Sequence, residues 1–192
     1  MKTITHPSML DKAKIYIIDF EDSFTFNIAC ELYPFEKEIV VISHAEFFTS
    51  HNYHQFIKNL KAPVAVILGP GPGSPEEYQD YFCNILEIKN HPHIFLMGIC
   101  LGHQIVALID GLKIKRSLKP LHGQQVQISF DNKNMLVQRY NSLAVYESDN
   151  SLREIQIREW PRGISYQFHP ESIGTENRPL FFKALLTFIK EG

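Results

Sequence analysis

The stretch Phe95-Leu96-Met97-Gly98-Ile99-Cys100-Leu101-Gly102-His103-Gln104 constrains this chain more than any other. An apolar run of strand character stops at Gly98, and a run of helical character starts after Gly102. Between them stands one cysteine, with a glycine two positions away on each side. That is the layout of a nucleophile elbow, a sharp strand-to-helix turn that lifts one side chain above a sheet. Glycines serve such a turn because it demands unusual backbone angles and close approach of neighbouring elements. A thiol at the start of a helix meets unpaired N–H groups and the positive end of the dipole, which favour its anion. Taken alone, the same stretch also suits a buried, inert cysteine in a strand–helix join, since G-x-C-x-G is a short pattern.

The residues around the elbow repeat its alternation. Strands are expected at 14–19, 38–42, 63–68 and 93–97, each apolar enough to be covered on both faces. Helices are expected at 24–32, with Asp22 or Ser23 as cap, and at 53–60, 76–89 and 179–189. Such alternation predicts an α/β fold, a doubly wound, mostly parallel sheet with helices on both faces. After Lys113 the texture changes to β-rich runs at 113–116, 122–130, 134–140, 152–159 and 163–168. These predict a small antiparallel extension in the C-terminal half. Residues 1–13 read as a loose lead-in and 14–192 as a single domain.

Charge and cysteine usage exclude several classes. The formal net charge is −2, with both signs well mixed, so nothing suggests a nucleic-acid or membrane surface. Three cysteines (Cys30, Cys83, Cys100) without C-x-x-C spacing suggest neither a disulfide scaffold nor a zinc knuckle. Cys30 and Cys83 sit among apolar helix residues and read as packed, unreactive thiols. The pairs His51/His54 and His91/His93 lack acidic or thiol companions at ligand spacing, so no metal and no cofactor is expected. The segment Met1–Lys14 carries His6, Pro7 and Asp11 where a signal peptide needs an unbroken apolar run, and a cytoplasmic protein is expected.

Two further stretches carry chemistry. Gln167-Phe168-His169-Pro170-Glu171-Ser172 follows an apolar strand, and positions two apart in extended chain point to the same side. His169 and Glu171 can then meet as a base and its orienter, with Cys100 as nucleophile. The alternative is a surface His-Pro-Glu turn. Leu68-Gly69-Pro70-Gly71-Pro72-Gly73-Ser74-Pro75 leaves Gly71 and Gly73 as N–H donors in a proline-stiffened loop at the same sheet edge. With the N–H of Leu101 they can form an oxyanion hole, in which one donor is typically worth about 2.7–4 kcal/mol.

These stretches occur together with Asp22-Ser23-Phe24-Thr25-Phe26-Asn27, His122-Gly123 and Arg139-Tyr140-Asn141-Ser142-Leu143. In that order they resemble the triad (class I) glutamine amidotransferases, most of all the small subunits of anthranilate synthase and 4-amino-4-deoxychorismate synthase. The resemblance covers everything except the lead-in. It implies that Cys100 attacks the side-chain amide of L-glutamine, that His169 moves the proton, and that Glu171 holds the ring. It also implies substrate contacts from Gln104 and from the backbone of Ser142 and Leu143. The implied partner is a chorismate-binding synthase large subunit that takes the ammonia. Two other readings remain open: a weakly catalytic or regulatory binding subunit, and a stand-alone γ-glutamyl hydrolase.

The sequence departs from that pattern in three places. Asn141 stands where such relatives usually carry histidine, the stretch 145–162 looks short, and Asp110-Gly111 replaces a common Gly-Gly. The first two put partner docking and substrate grip in question.

Overall fold

The computed structural model describes residues 14–191; the expected lead-in over 1–13 lies outside them. In chain order the elements are β1 (Ile15–Asp19), α1 (Thr25–Leu32), β2 (Ile39–Ser43), α2 (His44–Phe47), α3 (Ser50–Asn59) and β3 (Val64–Leu68). A 3-10 helix (Pro75–Tyr81) precedes α4 (Phe82–Asn90), β4 (Ile94–Ile99), α5 (Leu101–Ile109), β5 (Lys113–Phe130) and β6 (Lys133–Tyr146). The chain closes with β7 (Ile157–Trp160), β8 (Gly163–Tyr166) and α6 (Pro179–Glu191).

A six-stranded sheet runs in the order β2-β1-β3-β4-β8-β7, parallel except for β7, and β5 pairs with β6 in a separate antiparallel sheet. The expected α/β architecture with an antiparallel extension is what the chain forms. Alternate residues of each central strand feed opposite faces, as the two-residue strand period requires. Ile15, Ile17, Ile67 and Met97 pack with Ile28, Leu32, Phe181 and Leu185 on the α1/α6 side. Tyr16, Ile18, Leu68 and Leu96 pack with Phe56, Ile85, Ile88 and Ile105 on the other side. Both faces being covered is why these strands read as unbroken apolar runs. Each such side chain contributes about 1.5–3 kcal/mol by leaving water.

Several local expectations are corrected. The helix expected at 76–89 is broken: Tyr78 leaves helical angles, and only Phe82–Asn90 is α-helical. The runs at 113–116 and 122–130 fuse into one bulged strand, while 152–159 contributes only the strand Ile157–Trp160. Neither Asp22 nor Ser23 caps α1; the cap position is Phe24, with no side-chain bond. Asp22 Oδ1 instead accepts from the N–H of Phe24 at 2.8 Å, bending the β1–α1 loop. Cys30 and Cys83 are exposed rather than packed, because α1 buries Ile28 and Leu32 and α4 buries Ile85 and Ile88 on the other face. Asp110 is also more engaged than its substitution for glycine suggests, pairing with Lys89 of α4 and Arg158 of β7. No described helix is long and apolar enough to cross a membrane.

Candidate active site

The carboxyl ends of β1, β3, β4 and β8 share one edge of the sheet, where ligands of doubly wound folds bind. At the end of β4 the chain turns on Cys100, whose φ of 52° and ψ of −100° lie far from the preferred regions of an L-residue. Such strain persists only where surrounding contacts impose it. Here they do. The N–H of Cys100 donates to the carbonyl of Tyr166 at 2.8 Å, and that of Gly102 to Gly69 at 3.3 Å. Both flanking glycines are required sterically. A Cβ on Gly102 would stand 2.2 Å from the carbonyl oxygen of Leu68, and one on Gly98 would stand 2.7 Å from that of Gly102.

His169 arrives from β8 by a route that joins the two sheets. Its N–H donates to the carbonyl of Gln138 on β6 at 2.9 Å, and its carbonyl accepts from Thr175 Oγ1 at 2.7 Å. His169 Nδ1 lies 2.7 Å from Glu171 Oε1, with both side chains buried. Burial alone would lower the basicity of this imidazole. The carboxylate of Glu171 and the adjacent sulfur of Cys100 overcome that and hold its pKa well above the ordinary value. His169 Nε2 and Glu171 Oε2 find no hydrogen-bond partner among the described residues, and the His169 ring is near enough to Cys100 for that residue to raise its pKa. The expected Cys100, His169 and Glu171 are thus brought together.

The other candidates divide. Gly71 sits against the residue after Cys100: a Cβ there would be 2.6 Å from Leu101 Cδ2 and 2.5 Å from Phe20 Cβ. Gly73, at φ +76°, faces the Glu77 carboxylate instead, which accepts from the N–H of Ser74 at 2.7 Å. Gly73 thus lies beside the capping box that Ser74 and Glu77 form, while Gly71 lies against Leu101. Gln104 is buried, and its Nε2 donates to the carbonyl of Leu143 at 2.9 Å. Ser142 lies exposed beside it, its Oγ 3.4 Å from His122 Nε2. No group of three or more His, Cys, Asp or Glu among the described residues could hold a metal ion.

Residues 16–187 match the family Glutamine amidotransferase class-I. The chain belongs to the class-I glutamine amidotransferases. It is 32% identical to anthranilate synthase component 2 of Saccharolobus solfataricus, over 90% of this chain and 96% of that one. A Schizosaccharomyces pombe chain named for aminodeoxychorismate synthase is 30% identical over 92% of this chain, which spans only 26% of that longer protein. Among solved structures, a Thermoplasma acidophilum chain named for GMP synthase has the same fold, with a TM-score of 0.70 and 17% identity. That match covers 94% of this chain and 95% of the other.

In this amidotransferase, several residues at the site escaped the sequence reading. Phe24 and Tyr140 bracket the His169 ring, with centroids at 5.3 Å and 5.1 Å, the Tyr140 contact nearly perpendicular at 83°. An aromatic at the β1–α1 turn and one on β6 carry no signal of their own until topology places both beside His169. His103 lies two residues beyond the elbow leucine and is fully enclosed. It bonds to Ser165 Oγ at 2.9 Å and to the carbonyl of Ile155 at 3.0 Å. Burial depresses its pKa to about 3, so it stays neutral and ties α5 to β8. The two buried imidazoles of the amidotransferase are therefore electrostatic opposites, and only His169 can carry a proton at neutral pH.

Proposed function

We propose that this chain hydrolyses the side-chain amide of L-glutamine with Cys100, His169 and Glu171, and delivers the ammonia to a chorismate-binding synthase subunit. The product would be anthranilate or 4-amino-4-deoxychorismate. The observation that carries this reading is the buried 2.7 Å pair of His169 Nδ1 and Glu171 Oε1 beside the strained Cys100. The names of the relatives support the choice of synthase.

The proposed reaction has two steps. The Cys100 thiolate attacks the amide carbon, and the N–H groups of Leu101 and Gly71 receive the charge that develops on oxygen. The His169 imidazolium gives its proton to the departing nitrogen, so ammonia leaves and a γ-glutamyl thioester remains. Neutral His169 then takes a proton from water as it attacks the thioester, which returns glutamate and the thiol. Glu171 keeps the ring in register, and Gln104, Ser142 and Leu143 hold the substrate. Ammonia protonated by water has no lone pair to react with, so a docked synthase must receive it first. The chain acts as one domain from residue 14, and its three free thiols suit the cytoplasm.

Asn141 does not favour a drifted binding subunit. Its Oδ1 accepts from Arg139 Nε at 2.9 Å and its Nδ2 donates to the carbonyl of Leu143 at 2.8 Å, so both ends are engaged. With the synthase subunit present, Cys100→Ser should abolish synthesis from glutamine and leave synthesis from added ammonia intact. Loss of both would overturn the proposal.

A further inference from the structure

Gln167 lies one residue beyond β8, completely enclosed, and points its carboxamide at the nucleophile: Nε2 is 3.9 Å from Cys100 Sγ. Its main-chain N–H donates to the carbonyl of Gln156 at 2.9 Å, so the residue cannot swing away with its backbone. The orientation of the carboxamide is settled by its neighbours. The carbonyl of Leu143 can only accept, so the group that Gln104 turns toward it must be Nε2, at 2.9 Å. That same Nε2 lies 3.3 Å from Gln167 Oε1 and donates to it. With its oxygen committed to Gln104, Gln167 has only N–H to offer the sulfur. The carbonyl of Leu143 is itself fixed by Asn141 Nδ2 at 2.8 Å, and Asn141 by Arg139 Nε at 2.9 Å. Asn141 and Gln104 thus both donate to the Leu143 carbonyl, and from Gln104 the donors run on through Gln167 to Cys100.

We infer that Gln167 is a further catalytic residue, donating a hydrogen bond to the attacking sulfur, and that Gln104 is the positioning residue that aims it. The inference rests on the proposed role of Cys100 as nucleophile. The sulfur then has one neutral hydrogen-bond donor, the carboxamide of Gln167, near the imidazolium of His169. His169 with Glu171 supplies the charge at this site, and His103 on α5 stays neutral. A hydrogen bond to a charged acceptor shortens and strengthens relative to a neutral one. Gln167 therefore favours the thiolate over both the thiol and the thioester, and it adds no charge that could compete with the leaving ammonia for a proton.

The test is alkylation by iodoacetamide across pH, with the modified cysteine resolved by peptide mass spectrometry. Exposed Cys30 and Cys83 serve as references within the same molecule. Gln167→Met keeps the bulk and removes the donor. It should slow Cys100 alkylation at neutral pH about tenfold, the scale of a hydrogen bond to a charged group, and move its half-maximal pH upward. Gln104→Leu should move the same profile in the same direction by less, and it reports on the inference even if Gln167→Met fails to fold. The reference cysteines should not change. An unmoved Cys100 profile in a folded variant overturns the inference alone, as does an equal change at all three thiols. If wild-type Cys100 reacts no faster than Cys30 and Cys83, the nucleophile assignment falls and the inference with it.

Discussion

Arg139 Nη2 and Glu154 Oε2 lie 2.7 Å apart, nearly buried, behind the segment that carries Leu143. The pair helps to hold the 145–162 stretch. Glu154 also accepts from Ser117 and, at 3.1 Å, from Gln156, while the next residue bonds to β6 and to His103. Removing one partner of a buried pair costs about 3–5 kcal/mol, so Arg139→Met should destabilise the fold by about 3 kcal/mol in denaturant titration. Burial would raise the pKa of Glu154, but hydrogen bonds from Ser117 and Arg139 bring it below the ordinary carboxylate value. The stabilisation is therefore present above the unfolded carboxylate range and lost as pH falls through the lower folded value. The gap between wild type and Glu154→Gln should close on acidification.

Asn141 supplies one donor and one acceptor, and a neutral imidazole can supply the same. Asn141→His should keep glutaminase kcat/KM within about threefold. Asn141→Leu leaves Arg139 Nε and the Leu143 carbonyl short of a partner, and a lost buried hydrogen bond of about 1–3 kcal/mol predicts a drop of tenfold or more. Steady-state kinetics on the two variants checks the order.

How much of this was legible beforehand depended on whether the signal was local. The elbow could be read because two glycines and a cysteine at fixed spacing encode one turn. The parallel sheet could be read because strands covered on both faces are apolar without interruption. The pairing of His169 with Glu171 followed from extended-chain geometry. A proline-glycine loop does not say which neighbour each glycine packs against; for Gly73 that neighbour is Glu77, four residues on. Gln167, Phe24 and Tyr140 act only through contacts between elements distant in sequence. Cys30 and Cys83 were misplaced because apolar neighbours along a helix do not specify which face is buried.

Gly102 and Gly111 make a direct test of the elbow. Gly102→Ala places a Cβ 2.2 Å from the Leu68 carbonyl oxygen, whereas Gly111, at φ +80°, has nothing within 4 Å. Gly111→Ala should cost only the left-handed strain of about 1–2 kcal/mol and spare activity. Gly102→Ala forces β3 and α5 apart, should destabilise by about 3 kcal/mol, and should abolish alkylation selectivity at Cys100. Thermal melts and peptide mapping distinguish the two.

Glu171→Gln should reduce glutamine hydrolysis less than His169→Ala, because Phe24 and Tyr140 still bracket the ring. The same variant changes stability with a defined sign. The folded pKa of His169 is raised, so the stabilisation is complete below the unfolded value of about 6.5 and fades as pH rises through the folded one. The stability difference between wild type and Glu171→Gln should be largest in mild acid and shrink toward alkaline pH, measured by chemical denaturation.

The most direct measurement is acid quench of the chain during glutamine turnover with its synthase subunit, followed by peptide mass spectrometry. The account predicts one γ-glutamyl group per chain, on Cys100, absent from Cys30 and Cys83, and lost in Cys100→Ser. Turnover with no adduct on Cys100, or an adduct carried by another residue, would contradict it.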